Sequence, residues 1–397
     1  MNPYPSKCQS RRTFLQTSIT AGALLPFLGC AQPTDKTTPT SSNNPGNAPS
    51  IKPLNILMLG GTSFLGPHQI AYAQDRGHSI TTFTRGKTLP SVHADRFQAV
   101  EQLIGDREDN LDALKDRKWD AVIDNSGRKA KWTEDTAQLL KDQVELYLYT
   151  SSTGVYYPYL GKDIKEDTVP VLEVPDGINE EQALEYGYGV MKAHSEMKAI
   201  AAFGAERTII VRPTYMMGPA DQTDRFTYWP VRLGLGGEVM VPGHSQDPVQ
   251  YIDVRDVASW MIRLIENKTA GTFNAVGPSS PTGMHAFVYG AHAAFNSPAS
   301  FVMIDDYDFL NEQKVPYAIP WIMPTGDNFG SALVNNQLGI AKGLTFTPLA
   351  ESVRDIYEWW YSDAVPEERR QKMITGPDSL LAREKDIIEA WKAHKKG

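Results

Sequence analysis

Tyr188 and Lys192 stand four apart in Tyr186-Gly-Tyr188-Gly-Val-Met-Lys192-Ala-His-Ser-Glu196. Residues at that spacing share a helix face, so the phenol and the ammonium would project together. A free tyrosine ionises near about pH 10 and is a poor base at neutral pH. A positive charge nearby favours the phenolate, and a tyrosine so placed can take the proton of an alcohol. Upstream, Ser151-Ser152-Thr-Gly-Val-Tyr156 follows an apolar run that ends at Thr150. Ser152 is expected to hydrogen-bond the same substrate oxygen. An alcohol becomes a carbonyl only if a hydride leaves as well, so this trio needs a hydride acceptor.

The elements that precede the trio supply a place for one. Leu54–Leu59 is a short apolar run that reads as a buried parallel strand. Gly60-Gly-Thr62-Ser63-Phe64-Leu65-Gly66 follows, then a helical pattern to about Gly77. In a strand–turn–helix of this kind, Gly60 permits the tight turn. The backbone from Thr62 to Leu65 then faces a dinucleotide pyrophosphate at the helix N-terminus, and Gly66 lets the helix pack on the strand. Ser63 stands where a middle glycine is usual; it either tilts the phosphate contact or adds its hydroxyl to it. Further strands are expected at 79–84, 119–124, 146–150 and 208–213, with a helix at about 131–141. Alternating strands and helices imply a doubly wound parallel sheet of Rossmann type. The second strand ends Phe83-Thr84-Arg85-Gly86-Lys87, without the acid that usually receives the ribose hydroxyls of NAD. Arg85, helped by Lys87, suits a ribose phosphate and leans towards NADP over NAD.

Gly-Gly-Thr-x-Phe-Leu-Gly, Ser-Ser-x-x-Val-Tyr and Tyr-Gly-x-x-Lys-x-x-x-Glu, in that order, resemble the extended short-chain dehydrogenase/reductase superfamily. Within it, the chain is similar to the NAD-dependent epimerase/dehydratase family over roughly residues 54–360. The turn without its middle glycine resembles an atypical branch that includes chloroplast stem-loop-binding proteins. The resemblance implies catalytic roles for Ser152, Tyr188 and Lys192. It assigns the turn from Gly60 to Gly66, Arg85, Asp106 on the adenine side and Ser126 after the fourth strand to the cofactor. The segment between Ser152 and Tyr188 is long for the family. Its acid-rich part, Pro158 to Glu185, is expected to be a surface loop over the substrate.

Thr208–Pro213 leads to Gly218-Pro219, after which the resemblance places a smaller C-terminal substrate lobe. That segment reads Asp221-Gln-Thr-Asp-Arg225-Phe-Thr-Tyr228-Trp229-Pro-Val-Arg232. Rings stack on sugar faces and guanidinium forks bind carboxylate or phosphate. Arg225, Tyr228, Trp229 and Arg232 are therefore expected at the substrate. The competing reading is an aromatic core helix with surface arginines. Asp253 reads as a helix N-cap. The 8 histidines have no paired ligand spacing, and no metal site is expected. Two amphipathic helices are expected near 349–361 and 379–395, with Trp359, Trp360 and Trp391 as packing residues.

The net charge is −8, and the first 29 residues carry Lys7, Arg11 and Arg12 and no acid. The acidic remainder disfavours nucleic acid as the main partner, because phosphate affinity needs clustered cations. Arg11-Arg12-Thr-Phe-Leu opens a mild apolar stretch that resembles a twin-arginine signal peptide. Both cysteines, Cys8 and Cys30, fall in residues 1–30. Phe27-Leu28-Gly29-Cys30 resembles a lipoprotein cleavage site, and residues 31–50 read as a flexible tether. The expected domains are then 51–215 for the dinucleotide and 216–397 for the substrate lobe and C-terminal helices, some strands returning to the sheet. The sum is an exported NAD(P)-dependent epimerase or related oxidoreductase acting on a sugar-like small molecule, in the periplasm or envelope. The alternative is an RNA- or nucleotide-binding protein of the stem-loop-binding type, or a non-catalytic binding module.

Overall fold

Asn55–Leu59 forms β1, buried from Ile56 onward. Side chains alternate across a strand, and both faces of this one are covered. Ile56 and Met58 enter one core, while Leu57 and Leu59 enter another on the opposite face. The computed structural model describes residues 52–396. The twin arginines, both cysteines and the tether 31–50 lie outside the described residues.

After β1 come α1 (Leu65–Asp75), β2 (Ser79–Thr84), β3 (Glu101–Ile104), β4 (Trp119–Asp124), α2 (Ala130–Leu140) and β5 (Val144–Thr150). α3 (Glu180–Phe203) and β6 (Thr208–Pro213) complete the first half. The seven-stranded sheet has the order Gly271–Ala275, β6, β5, β4, β1, β2, β3, with every neighbour parallel. The strand order reverses between β1 and β4, which opens a crevice beyond their carboxyl ends. One face is covered by α1 and by a helix at Val254–Glu266, the other by α2 and α3. Asp253 caps that helix by accepting from Arg255 N at 2.8 Å.

The lobe has its own core. Strand Gly237–Pro242 pairs in parallel with Ala299–Ile304. Trp229, Phe287, Trp321 and Trp391 pack with them. Helices at Leu349–Trp360, Glu367–Thr375 and Leu380–His394 close the described chain. The middle one was not expected from the sequence. It has no buried residue, hence no apolar period to betray it. α3 begins at Glu180, inside the expected loop, because Asn179 and Gln182 form a reciprocal capping box. The rest of that loop is pinned rather than draped. Ile164 N donates to Leu333 O at 3.1 Å, Gly330 N to Tyr159 O at 2.6 Å, and His194 Nε2 lies 3.0 Å from Leu172 O.

Candidate active site

The glycine turn sits at the crevice. Gly60 and Gly61 have φ of 99° and 106°, a region that only glycine enters freely. A Cβ on Gly66 would lie 2.4 Å from the Gly61 backbone, so the start of α1 can sit this close to the turn only with glycine there. No side chain caps the N-terminus of α1. In its first turn Gly66 N donates to Ser63 O at 3.0 Å and Pro67 has no N–H, so Leu65 N and the helix dipole are what this end offers the crevice. Ser63 is exposed and Thr62 Oγ1 lies 2.7 Å from Thr88 Oγ1. Phe64 walls the neighbouring cleft, whereas the side chain of Leu65 is in the core and only its backbone belongs to the turn.

Ser126 faces this turn: a Cβ on Gly60 would lie 3.3 Å from Ser126 Cβ. Asp106 is half-buried in a tight hairpin with Asn110, its Oδ1 accepting from Glu108 N at 3.0 Å. Arg85 is exposed. The residue that sequence reasoning missed is Arg107. It is buried against Asp124, donating to Oδ2 at 2.9 Å, and reaches Ser126 Oγ at 3.1 Å. It also reaches Trp132 O at 2.7 Å and Thr136 Oγ1 at 2.8 Å. Tyr147 OH donates to the same carboxylate at 2.7 Å. The Arg107 guanidinium holds Asp124 below the usual carboxylate range against the opposing effect of full burial. Gly105-Asp106-Arg107 directly after β3 is the only local signal, and nothing in it names Asp124 as partner. Asn125 was missed as well. It donates to Gln69 Oε1 at 2.7 Å and accepts from Thr150 Oγ1 at 2.8 Å, tying α1 to the end of β5.

Ser152, Tyr188 and Lys192 meet beside the crevice. Ser152 caps a short 3-10 turn, its Oγ accepting from Gly154 N at 3.0 Å. The Tyr188 ring packs on that turn: a Cβ on Gly154 would lie 2.9 Å from it, and one on Gly189 would lie 2.4 Å from Gly154 O. The two glycines thus let α3 approach the serine loop. Tyr188 is 45% exposed because it lines an open cleft. Burial by the protein around it still raises its pKa, while the neighbouring Ser152 hydroxyl and the charge of Arg225 act the other way. Lys192 is buried and donates to Thr150 O at 2.9 Å, with Nζ 5.9 Å from the Tyr188 ring centre. Burial lowers its pKa to about 8, against the pull of Asp124 and Glu196. The serine loop is anchored at both ends. Ser151 Oγ donates to Glu196, which is paired with Arg212, and Arg212 donates to Tyr156 OH at 2.7 Å.

The cleft above Tyr188 has a volume of about 590 Å³ and is walled by Ser152, Tyr159, Tyr215 and Arg225 among others. Arg225 is exposed, stacked 5.0 Å from the Tyr215 ring centre, and has no ion pair among the described residues. Of the other three expected substrate residues, Tyr228 lines an adjoining chamber, whereas Trp229 and Arg232 lie elsewhere. Trp229 is fully buried and donates to Ala318 O at 3.2 Å. Arg232 is buried, ion-paired with Glu384 and donating to Gly236 O at 2.7 Å. Tyr228 is 7% exposed, with its hydroxyl on Glu384 at 3.3 Å. Trp229 and Arg232 are thus lobe core, because Glu384 from the last helix neutralises the guanidinium inside. The Arg-and-aromatic pattern cannot tell the two cases apart. Among the described residues no group of three His, Cys, Asp or Glu is arranged to hold a metal. None of the described helices is long and apolar enough to cross a membrane.

The sequence model for "NAD dependent epimerase/dehydratase family" matches residues 56–276. The chloroplast stem-loop binding protein of 41 kDa b of Arabidopsis thaliana is 28% identical over 236 residues, which are 56% of this chain and 58% of the plant protein. The chain therefore spans less than two thirds of that relative. The epimerase family protein SDR39U1 of Bos taurus is 24% identical over 262 residues, 62% of this chain and 82% of the bovine one. The solved structure of WbmH of Bordetella bronchiseptica in complex with NAD+ is similar at TM-score 0.56 and 15% identity, covering 79% of this chain and 100% of that one. The UDP-N-acetylglucosamine 4-epimerase of Methanobrevibacter ruminantium M1 is similar at TM-score 0.56 and 15% identity, over 78% and 98% of the two chains. At such identities the likeness is one of fold.

Proposed function

The chain belongs to the NAD dependent epimerase/dehydratase family, and on that premise we propose that it is an NAD(P)-dependent oxidoreductase that epimerises a sugar or sugar derivative. The observation that carries this reading is that Ser152 and Tyr188 line one cleft, with Lys192 buried behind the Tyr188 ring, beside an uncapped, glycine-built helix N-terminus. The Gly60-Gly61 turn and the start of α1, held close to it by Gly66, suit a dinucleotide pyrophosphate, with Ser126 facing the turn; Asp106 and Arg85 join the cofactor in this reading on the resemblance alone. When bound, such a cofactor would supply a hydride acceptor and, in its oxidised form, a positive charge. That WbmH was solved with NAD+ supports the assignment.

Tyr188 takes the proton of a substrate hydroxyl as the carbinol loses its hydride, and C–O becomes C=O. Ser152 donates to the same oxygen and fixes its position. Lys192 keeps its positive charge under the phenol and holds the end of β5 through Thr150 O. If the carbonyl compound turned over in the cleft, return of the hydride that a bound cofactor would hold, with Tyr188 giving the proton back, would invert the centre with no net redox change. That economy suits a retained cofactor, and it suits an envelope compartment without a nicotinamide pool. Export by the Arg11-Arg12 signal and anchoring through Cys30 are part of the same reading, supported by the residue pattern alone.

The test is to load the purified protein with NAD or NADP, add a panel of sugars and follow reduced-nicotinamide fluorescence and product stereochemistry. Turnover that requires the Tyr188 hydroxyl is expected. Unchanged turnover in Tyr188→Phe would refute the catalytic assignment. Salt-dependent RNA binding without sugar turnover would move the stem-loop-binding reading ahead.

A further inference from the structure

Beyond Arg225 the cleft continues into a second chamber of about 700 Å³. The two spaces share Glu185, Tyr215, Thr223 and Arg225 as walls. The outer wall comes from helix Glu367–Thr375 and the turn leading to Leu380–His394, both outside the family match. The helix that follows this wall is anchored in the lobe. Glu384 accepts from Met240 N at 2.8 Å and pairs with Arg232, and Trp391 Nε1 donates to Met303 O at 2.9 Å.

Building on the oxidoreductase reading of the cleft, we propose that this chamber holds a second, uncharged sugar unit. The substrate is then a neutral glycoside or oligosaccharide rather than a nucleotide-linked sugar. The charges of the wall decide between them. Arg369 is spent: it pairs with Asp224, Nε to Oδ2 at 2.9 Å, and donates to Asp221 O. That leaves Arg225 and Lys372 against Glu181, Glu185 and Asp378. No ion pair among the described residues engages Lys372, and it is exposed. A diphosphate would bring two more negative charges into a wall where, among the described residues, carboxylates without an ion pair outnumber such cations, which the local field opposes. Glu185 already shows the strain, its pKa raised by burial and then by Glu181. Sugar hydroxyls, by contrast, donate to carboxylates. Tyr317, hydrogen-bonded to Glu181 at 3.0 Å, and Tyr215 add flat faces for a pyranose.

Calorimetric binding to the NAD(P)-loaded Tyr188→Phe protein separates the arms, with turnover by the wild type measured alongside. The probes are glucose and galactose, then cellobiose, maltose and lactose, then UDP-glucose and UDP-galactose. At least one disaccharide is expected to bind tenfold or more tighter than its monosaccharides, with the UDP-sugars no tighter than those. Tyr317→Ala, with its unfolding midpoint unchanged, is expected to erase most of that preference. UDP-sugars binding tightest, or disaccharides and monosaccharides binding alike, would overturn the assignment. Disaccharide preference without any turnover would leave the chamber standing and sink the oxidoreductase reading.

Discussion

In the sheet half, the polar groups that face the crevice come from neighbouring strand ends and are braced from below. Arg107, Asp124 and Ser126 form one braced unit, and Lys192 is fixed to the end of β5. In the lobe the same residue types are divided between two jobs. Arg225 stands in the cleft on Tyr215 and Thr223 with no ion pair among the described residues, while Arg232, one segment on, is locked in the core by Glu384. Chemistry groups thus sit where the backbone topology must bring them. Recognition groups depend on which side chain found a distant partner.

Four substitutions and one titration sharpen or break this contrast. Tyr188→Phe should cost about 10²–10⁴-fold in turnover, as loss of a general acid–base group does. Its stability should change by no more than about 0.5 kcal/mol, since the ring packing stays. Arg232→Ala should leave Glu384 as an uncompensated buried charge and destabilise the protein by about 3–5 kcal/mol in denaturant unfolding. A loss of substrate affinity without loss of stability there would return Arg232 to the binding site. Gly66→Ala should force the start of α1 off the turn and weaken dinucleotide binding, by about 1–3 kcal/mol in titration. Arg225→Ala should raise KM by about tenfold while unfolding is unchanged within about 0.5 kcal/mol.

The smallest effect is a pH effect with opposite signs in two readouts. Lys192 loses its proton near pH 8 in the folded protein, so the rate should fall to half at about that pH. An unfolded lysine keeps its proton to about pH 10.4. Between these values the unfolded chain binds more protons, so this group makes stability rise with pH while activity falls. Lys192→Arg should move the activity limb upward.

The glycine turn, its strand and the Tyr–Lys helix face were legible because each is written in adjacent residues. Leu54–Leu59 gives the apolar run of a strand buried on both faces, and the turn follows at once. β3 was not legible: three of its four residues are exposed, so it carries no apolar signal. Arg107 and Arg232 were misjudged or missed for one reason. Their partners, Asp124 and Glu384, lie 17 and 152 residues away, and no periodicity encodes such a pairing. The capping box at Asn179 and Gln182 is the exception, a local signal that was there to be read.

The central claim is that this fold holds a nicotinamide dinucleotide against Tyr188. It is tested most directly by mass spectrometry of the small molecules released when the purified protein is denatured. Near-stoichiometric NAD or NADP is the expected result. No dinucleotide released, and none bound on titration, would contradict the account and leave the Gly60 turn as a structural feature only.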